Sequence, residues 1–473
     1  MPTVEHQEAR LSDIHAFIAD LVDIPATTDP RMIRIKSRDH YSLSPLLQKT
    51  LAGLQAELVV SPRTKGEVLT VAKAACRHRV ALTPRGAGTA NYGQSVPLRG
   101  GAMLDLSGLS GIISIRDGAV RALAGTKMED IEAAVHETGQ ELRFFPTTRR
   151  QATIGGFVAG GTGGVGSITW GVLRDRGNII ALEACSVEAE PQLVELRGKD
   201  TRLLQHGYGT NGIITEVEFA LAPARVWIEL LVGFDDYPAA IRHALSIGYE
   251  AGLVKKLASA YEWPIGRWLA PFAPFVPEGK SIVMAMIDVA SMELYREMVA
   301  DAGGTILTEA PAANGPYGRP MHEFAFGHTT LQFQQTMPNV TEVEGFFRST
   351  DLEGQVLRVF ERIRHTGPLR LEVRRWEGDL VCSGSTFITF ENEEEIEDVV
   401  RMMREEGIRV ANPHASNVRG VGKKEIGPAD VAFKMRMDPE GLLNPGRFEI
   451  DETKDAVIDR YLKTDGWLQS KTA

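Results

Sequence analysis

Two arginines and a glutamate alternate in the segment Leu369-Arg-Leu-Glu-Val-Arg-Arg-Trp376. On an extended strand that spacing puts Arg370, Glu372 and Arg374 on one face and Leu369, Leu371 and Val373 on the other. A face with two guanidiniums can grip a carboxylate through paired N–H donors. The same pattern also suits a solvated sheet face held by cross-strand ion pairs. Two histidines stand where a neutral imidazole could take a hydroxyl proton: His414, directly after Pro413, and His328 in Phe326-Gly-His-Thr-Thr330. Either could instead donate a structural hydrogen bond. Tyr317, Arg319 and His322, in a loop rich in glycine and proline, are further candidates for a pocket wall.

Glycine supplies a second kind of site. Eight of the nineteen residues from Thr153 to Gly171 are glycine. Such density costs backbone entropy, and it is too apolar for a flexible linker. Either the backbone lies close against a flat or charged ligand, or tight turns pack on themselves. An earlier loop, Pro84-Arg-Gly-Ala-Gly-Thr89, follows a short apolar strand. Its amides can converge on a phosphate, and Arg85 either adds charge or sits on the surface.

The elements that must position these groups can be read in order. Residues 1–50 form an arm with a helix, since Ile14, Phe17, Ile18 and Leu21 have helical spacing. A strand at 57–62, a helix opened by the capping box Thr64/Glu67, and a strand at 80–83 suggest a parallel βαβ unit. The loop after it is not a dinucleotide-binding fingerprint: Gly86 and Gly88 fit the register, but Asn91 replaces the third glycine. The residues that follow, through Pro97 and Gly100-Gly101, cannot sustain the helix that fold needs, although Asp105 has the spacing of a ribose-binding acid. A second capping box, Thr126/Glu129, opens another helix, and residues 213–221 form a strand. From 226 to 407 strand–helix units repeat, which predicts an antiparallel sheet with helices on one face. Residues 264–277, rich in proline, either line the site's mouth or merely pack.

Composition sets limits. A chain of 473 residues favours two domains. A net charge of −10 argues against a nucleic-acid partner, and no run of apolar residues is long enough to span a membrane. Three scattered cysteines and the lack of a signal peptide point to a reduced, cytoplasmic setting.

The order of motifs is specific. A strand ending in Pro62, a capped helix, PRGAGT, then TIGGFVAGGTGG, YGTNGIITEVEF and a closing MDPEGLLNPGR at 437–447 resembles the vanillyl-alcohol oxidase / p-cresol methylhydroxylase (PCMH-type) flavoproteins. Within them the nearest likeness is to glycolate oxidase and D-lactate dehydrogenase flavin subunits. The resemblance implies an α+β, two-domain PCMH-type FAD-binding fold with an antiparallel-sheet substrate cap. The expected divisions are an arm (1–50), an FAD domain (51–225), a cap (226–407) and a C-terminal segment (408–473) returning to the FAD domain. By the same likeness Pro84, Arg85, Gly86, Ala87, Gly88 and Thr89 hold the pyrophosphate. Thr153, Ile154, Gly155, Gly156, Gly160, Gly161, Gly163, Gly164 and Gly166 run along the ribityl chain and pyrophosphate. Pro146 precedes that stretch as a further cofactor contact, Ile213 and Ile214 lie on the adenine side, and Asn444 lies near the isoalloxazine.

Two departures matter. The first loop has no His or Cys at 88–90, where many relatives attach the flavin, so the FAD is expected to be non-covalent. The histidine-rich metal segments of lactate-type relatives are absent, with His414-Ala-Ser-Asn-Val-Arg-Gly-Val-Gly422 in place of the second, so no metal is expected. Phe157 also stands where lactate-type relatives often have Asn. The resemblance implies an oxidoreductase that oxidises a CH–OH group of a hydroxy acid or alcohol by hydride transfer to the flavin, with His414, Arg374 and His328 as candidate catalytic residues. Its partners are then a small-molecule substrate and an electron acceptor; a homo-oligomer is one option, and the oligomeric state stays open. A competing reading is an electron-transfer FAD subunit of a larger dehydrogenase, and a third is an NADPH-using reductase.

Overall fold

The computed structural model describes residues 14–312, 319–335 and 337–448. Tyr317 lies outside them. The described residues form three sheets.

The first is small: strands Ala26–Thr27, Leu58–Val60, Ala102–Asp105 and Leu82–Arg85 lie side by side in that order. The last three are parallel. Helix Lys65–His78 packs Val68, Val71 and Ala75 on this sheet. It starts as the sequence demands: Thr64 Oγ1 accepts the Glu67 amide at 3.1 Å, and the Glu67 carboxylate accepts the Arg63 amide at 2.6 Å. The strands on either side of this helix are not neighbours, however. Ala102–Asp105 slips between them and pairs with both, so the βαβ unit is completed by a strand 20 residues further on.

The second sheet has six strands: Ile112–Arg116, Ala119–Leu123, Ile213–Pro223, Ile179–Cys185 and Leu193–Arg197 in spatial order, with Gln140–Leu142 also on Ile213–Pro223. Its helix Met128–His136 does not begin with the expected capping box. Thr126 spends its hydroxyl on the carbonyls of Leu123 and Gly111, and the helix starts at Lys127 without a side-chain cap. Glu129 instead binds Arg149 at 2.7 Å.

The third sheet is fully antiparallel. Its strands run Thr305–Pro311, Trp227–Phe234, Ser281–Asp288, Lys255–Tyr261, Leu369–Trp376, Asp379–Thr389, Val340–Phe347 and Arg409–Ala411. Helices Tyr237–Tyr249, Met292–Asp301, Leu352–Ile363 and Glu393–Glu405 bury apolar stripes on one face of it, through residues such as Ile241, Tyr295, Val359 and Val399. The opposite face presents Leu231, Leu257 and Met284 to Phe144, Phe145, Val158 and Phe219 of the glycine-rich layer. Burial on both faces explains why Ser281–Asp288 is buried throughout. Within the excursion 264–277, Ile265, Leu269, Phe272 and Val276 are buried in the same core.

The chain then returns. Helix Pro428–Met437 leads into 438–447, where Leu82 donates to the Leu442 carbonyl and Asn444 donates to the Leu82 carbonyl at 2.7 Å. No helix among the described residues is long and apolar enough to cross a membrane.

Candidate functional site

One cavity collects most of the residues singled out by type and spacing. Its wall includes all of Pro84–Thr89, then Pro146, Thr153, Gly155, Gly156, Gly160, Gly161, Gly163, Gly164 and Ile214. From the antiparallel sheet and its loops come His328, Arg370 and Arg374. Other candidates are elsewhere. Ile154 and Ile213 point into apolar cores, and Gly166 packs where a Cβ would meet the Arg143 carbonyl at 2.1 Å. Asn444 and His414 are off the cavity wall as well.

The glycines serve two ends. Part of the stretch is a short helix, Ile154–Gly160, whose first residues bring Gly155 and Gly156 to the cavity. A Cβ on Gly86 would stand 2.1 Å from Thr153 Oγ1, and one on Gly164 would stand 2.1 Å from the Phe145 carbonyl. Close packing of loop on loop therefore requires glycine here, while the same residues leave an open, backbone-lined trough. Arg85 does not project from its loop. Its guanidinium donates to the carbonyls of Lys36, at 2.6 Å, and Arg38, and to Ala87 at 3.1 Å, tying the loop to the N-terminal arm. Asp39 in that arm accepts the amides of Gly93 and Ser95, and burial pushes its carboxyl up to about 6.

Asn444 works from behind the wall. Fully buried and held at φ +41°, it donates to the carbonyls of Gln94 and Tyr208 at 2.9 and 2.8 Å. Both of those residues line the cavity. His206 braces the glycine stretch, its Nδ1 3.1 Å from the Gly161 carbonyl and its Nε2 3.2 Å from the Tyr208 hydroxyl. Burial holds this imidazole well below its ordinary pKa, so it is neutral, donating to Gly161 and accepting from Tyr208.

The far end of the cavity is charged. Arg370, Glu372 and Arg374 are buried, not solvated. The next strand places Ser385, Ser383 and Val381 opposite Arg370, Glu372 and Arg374, and the two small serines leave room for the guanidiniums to reach the strand beyond. There Glu342 and Glu344 face them: Arg374 Nη2 lies 3.6 Å from Glu344 Oε1, and Arg370 Nη2 lies 4.0 Å from Glu342 Oε2. Arg370 also binds the Phe326 carbonyl and Ser385 Oγ. Arg374 lies over the Phe346 ring at 4.4 Å, and its buried Nε has no hydrogen-bond partner. Lys423 Nζ reaches Glu344 and, at 2.6 Å, the Tyr92 hydroxyl. Burial pushes the Glu344 carboxyl up, but Lys423 and Arg374 hold it below its usual range.

His328 is on the wall with both nitrogens engaged: Nδ1 is 2.9 Å from Thr147 Oγ1 and Nε2 is 3.1 Å from the Thr89 carbonyl. Burial lowers it to about 4, so it is neutral at pH 7. The carbonyl can only accept, which puts the proton on Nε2 and leaves the Nδ1 lone pair to Thr147. His414 instead pairs with Ser44, Nδ1 to Oγ at 2.7 Å. His322 is buried 2.5 Å from Glu229, and Arg319 binds Glu323 at 2.8 Å.

Tyr92, Glu344 and Lys423 escaped the sequence reading. For Glu344 a signal existed: Glu342 and Glu344 alternate in Val340–Phe347 just as the arginines do in their strand. Among the described residues no group of three or more His, Cys, Asp or Glu could hold a metal ion.

Residues 56–185 match the FAD binding domain family. This chain binds FAD. The trough fits that cofactor: its wall is largely glycine backbone and apolar side chain, and the buried Asn91 Oδ1 and Ser95 Oγ on it lack partners. The chain is similar to the glycolate oxidase subunit GlcD of Bacillus subtilis, 30% identical over 178 residues, which cover 35% of this chain and 37% of that protein. A D-lactate dehydrogenase of Anaerostipes hadrus is 24% identical over 267 residues, 53% of this chain and 56% of its own length. The chain thus spans between about a third and a little over half of these relatives.

Solved structures extend the likeness to the fold. An alkyldihydroxyacetonephosphate synthase superposes with a TM-score of 0.67 at 15% identity, covering 91% of this chain and 85% of that one. A Physcomitrella patens BBE-like 1 variant gives 0.62 at 12% identity, covering 92% of this chain and 100% of that one. The FAD-binding chain has the two-domain PCMH-type fold of mixed helices and antiparallel sheets.

Proposed function

We propose that this FAD-binding protein oxidises a 2-hydroxy acid to the corresponding keto acid. The observation that carries this reading is Arg374: a buried guanidinium on the cavity wall with one loose ion contact and an unpartnered Nε. A buried charge with spare donors costs free energy unless a ligand completes its bonds. A substrate carboxylate does so, and with Arg370 beside it the carboxylate is held at the cap end. The curated relatives bear the names of glycolate, D-lactate and D-2-hydroxyglutarate enzymes, all of them 2-hydroxy acids.

FAD, when bound, supplies the acceptor for the hydride leaving the substrate carbon. The protein handles the proton. Neutral His328, its Nδ1 lone pair engaged by the Thr147 hydroxyl, takes it from the substrate hydroxyl, directly or through Thr147. Lys423 and Tyr92 face the same space and orient the acid's oxygens. The first loop offers Gly88, Thr89 and Ala90 where a covalent link would form, which supports a dissociable FAD.

The deciding experiment is an anaerobic spectrum of the FAD-loaded protein titrated with glycolate, D-lactate and D-2-hydroxyglutarate. Bleaching of the flavin bands by one of them is the expected result. A flavin that no hydroxy acid bleaches removes the reading. The word "subunit" in the name of the Bacillus relative favours one alternative, an FAD subunit that needs a partner, which co-purification with an electron-transfer protein reveals.

A further inference from the structure

The cavity does not end at the antiparallel sheet. Thr162 and Lys423 belong both to its wall and to that of a much smaller space of about 20 Å³, room for about one water molecule. Phe346 and Trp376 flank this neck with their rings edge to face, centroids 5.9 Å apart. Beyond it Arg174, Trp376 and Arg409 line both the neck and a depression on the surface, to which Arg202 also contributes. Three spaces therefore run in series from solvent to the charged end of the cavity.

The outer mouth mixes charges, with five cations against four carboxylates, a small cationic excess in a chain whose net charge is −10. Arg174 donates to the Lys423 carbonyl, and Arg202 Nε donates to the Arg174 carbonyl at 3.0 Å. These bonds go to backbone carbonyls, and Glu425 and Asp430 lie close enough to offset part of the Arg174 charge. Burial, with Arg409 and Arg202 nearby, lowers the pKa of Arg174. Arg409 adds a third guanidinium, shared with Glu425 at 3.0 Å. At the inner side Arg374 stacks on Phe346, so the gate ring touches the group proposed to bind the carboxylate.

We propose that this series is the access route for a carboxylate-bearing substrate, with Arg174, Arg202 and Arg409 drawing the anion to the mouth and the Phe346–Trp376 pair gating the neck. The identity of the anion rests on the hydroxy-acid reading above. Thr162, between Gly161 and Gly163 of the glycine-lined trough where the cofactor fits, is on the neck's wall, so access from the sheet side enters beside that trough. A space of about one water admits no hydroxy acid as it stands. Trp376, half-buried at the end of its strand, has solvent to swing into.

The test is the rate at which dithionite, a small anion that reduces any flavin it reaches, bleaches the FAD-loaded protein in a stopped-flow instrument. Arg409→Glu puts an anion at the mouth, and Trp376→Ala opens the neck. Both positions are partly exposed, and equal FAD content and melting temperature certify each variant. At ~10 mM salt Arg409→Glu slows bleaching about fivefold, and the difference closes at ~0.5 M, as steering by charge requires. Trp376→Ala speeds bleaching at least about twofold at both salt concentrations, because removing a wall needs no charge. A rate equal to the unaltered protein's in either variant overturns the route. Dithionite needs no catalytic group, so this result stands even if no hydroxy acid proves to be a substrate.

Discussion

Arg374 and Glu344 face one another 3.6 Å apart across a strand whose serines are too small to separate them. Arg374 is 2% exposed, and its Nε is without a partner. Replacing it with Met keeps the bulk of the stem and removes the fork. Losing one partner of a buried charge pair costs about 2–5 kcal/mol, so kcat/KM for a hydroxy acid falls on the order of 10²–10³-fold. Arg374→Lys recovers little, since an ammonium lacks the paired donors. Steady-state kinetics with the best substrate decides: a change of less than tenfold in Arg374→Met rules out carboxylate binding there.

His328 sets the pH dependence. Its pKa is lowered to about 4 by burial, so the neutral, proton-accepting form is complete above about pH 5. If this imidazole takes the proton, kcat/KM has no acid limb from it between pH 5 and 8, and falls only as pH drops through about 4. His328→Gln abolishes turnover but leaves bound FAD. A limb near 6.5 in the unaltered enzyme would instead identify an unburied base.

Glu262 carries a pH-dependent cost in stability. Burial raises its carboxyl to about 7 while it accepts the Leu369 amide at 2.8 Å. With a folded pKa above the unfolded one, the group contributes fully at and below about pH 4.5. That contribution is lost as pH rises towards 7. Glu262→Gln keeps an acceptor for Leu369 and cannot ionise. After allowance for solvent screening it stabilises by about 1–2 kcal/mol at pH 8 and not at pH 4, read as a gain in Tm at the higher pH alone.

Asn444 is expected to matter to cofactor retention without touching the cavity. Asn444→Ala strands the carbonyls of Gln94 and Tyr208, at about 1–3 kcal/mol each. The expected outcome is a lower Tm together with weaker FAD binding in an equilibrium titration. Unchanged FAD affinity with the lower Tm would confine Asn444 to stability.

Precipitating the unaltered protein with acid tests the link to the flavin. With no His or Cys at 88–90, the yellow colour stays in the supernatant. Colour in the pellet would locate a covalent bond elsewhere on the wall.

Much of this was legible in one dimension because it depends on local chemistry. Thr64 and Glu67 cap their helix since both partners lie within one turn of chain, and glycines crowd where loops must nearly touch. Thr126 and Glu129 show the limit of such reasoning. The same spacing fails to make a box because Gly111, fifteen residues away, competes for the Thr126 hydroxyl.

By itself the sequence determined the order of motifs, the alternation of Arg370, Glu372 and Arg374, and the antiparallel cap, all of which rest on periodicity and backbone preference. Only the tertiary structure decided which face of that strand is buried, that Ser383 and Ser385 let it meet Glu342 and Glu344, and that Lys423 and Tyr92 complete the wall. It also moved His414 off the cavity to Ser44, and set Asn444 behind the wall as a clamp. The reason is range. Hydrogen bonds within a turn follow from neighbours in the chain, whereas Glu344 meets Arg374 and Lys423 from positions 30 and 79 residues away, and Tyr92 meets Lys423 across 331.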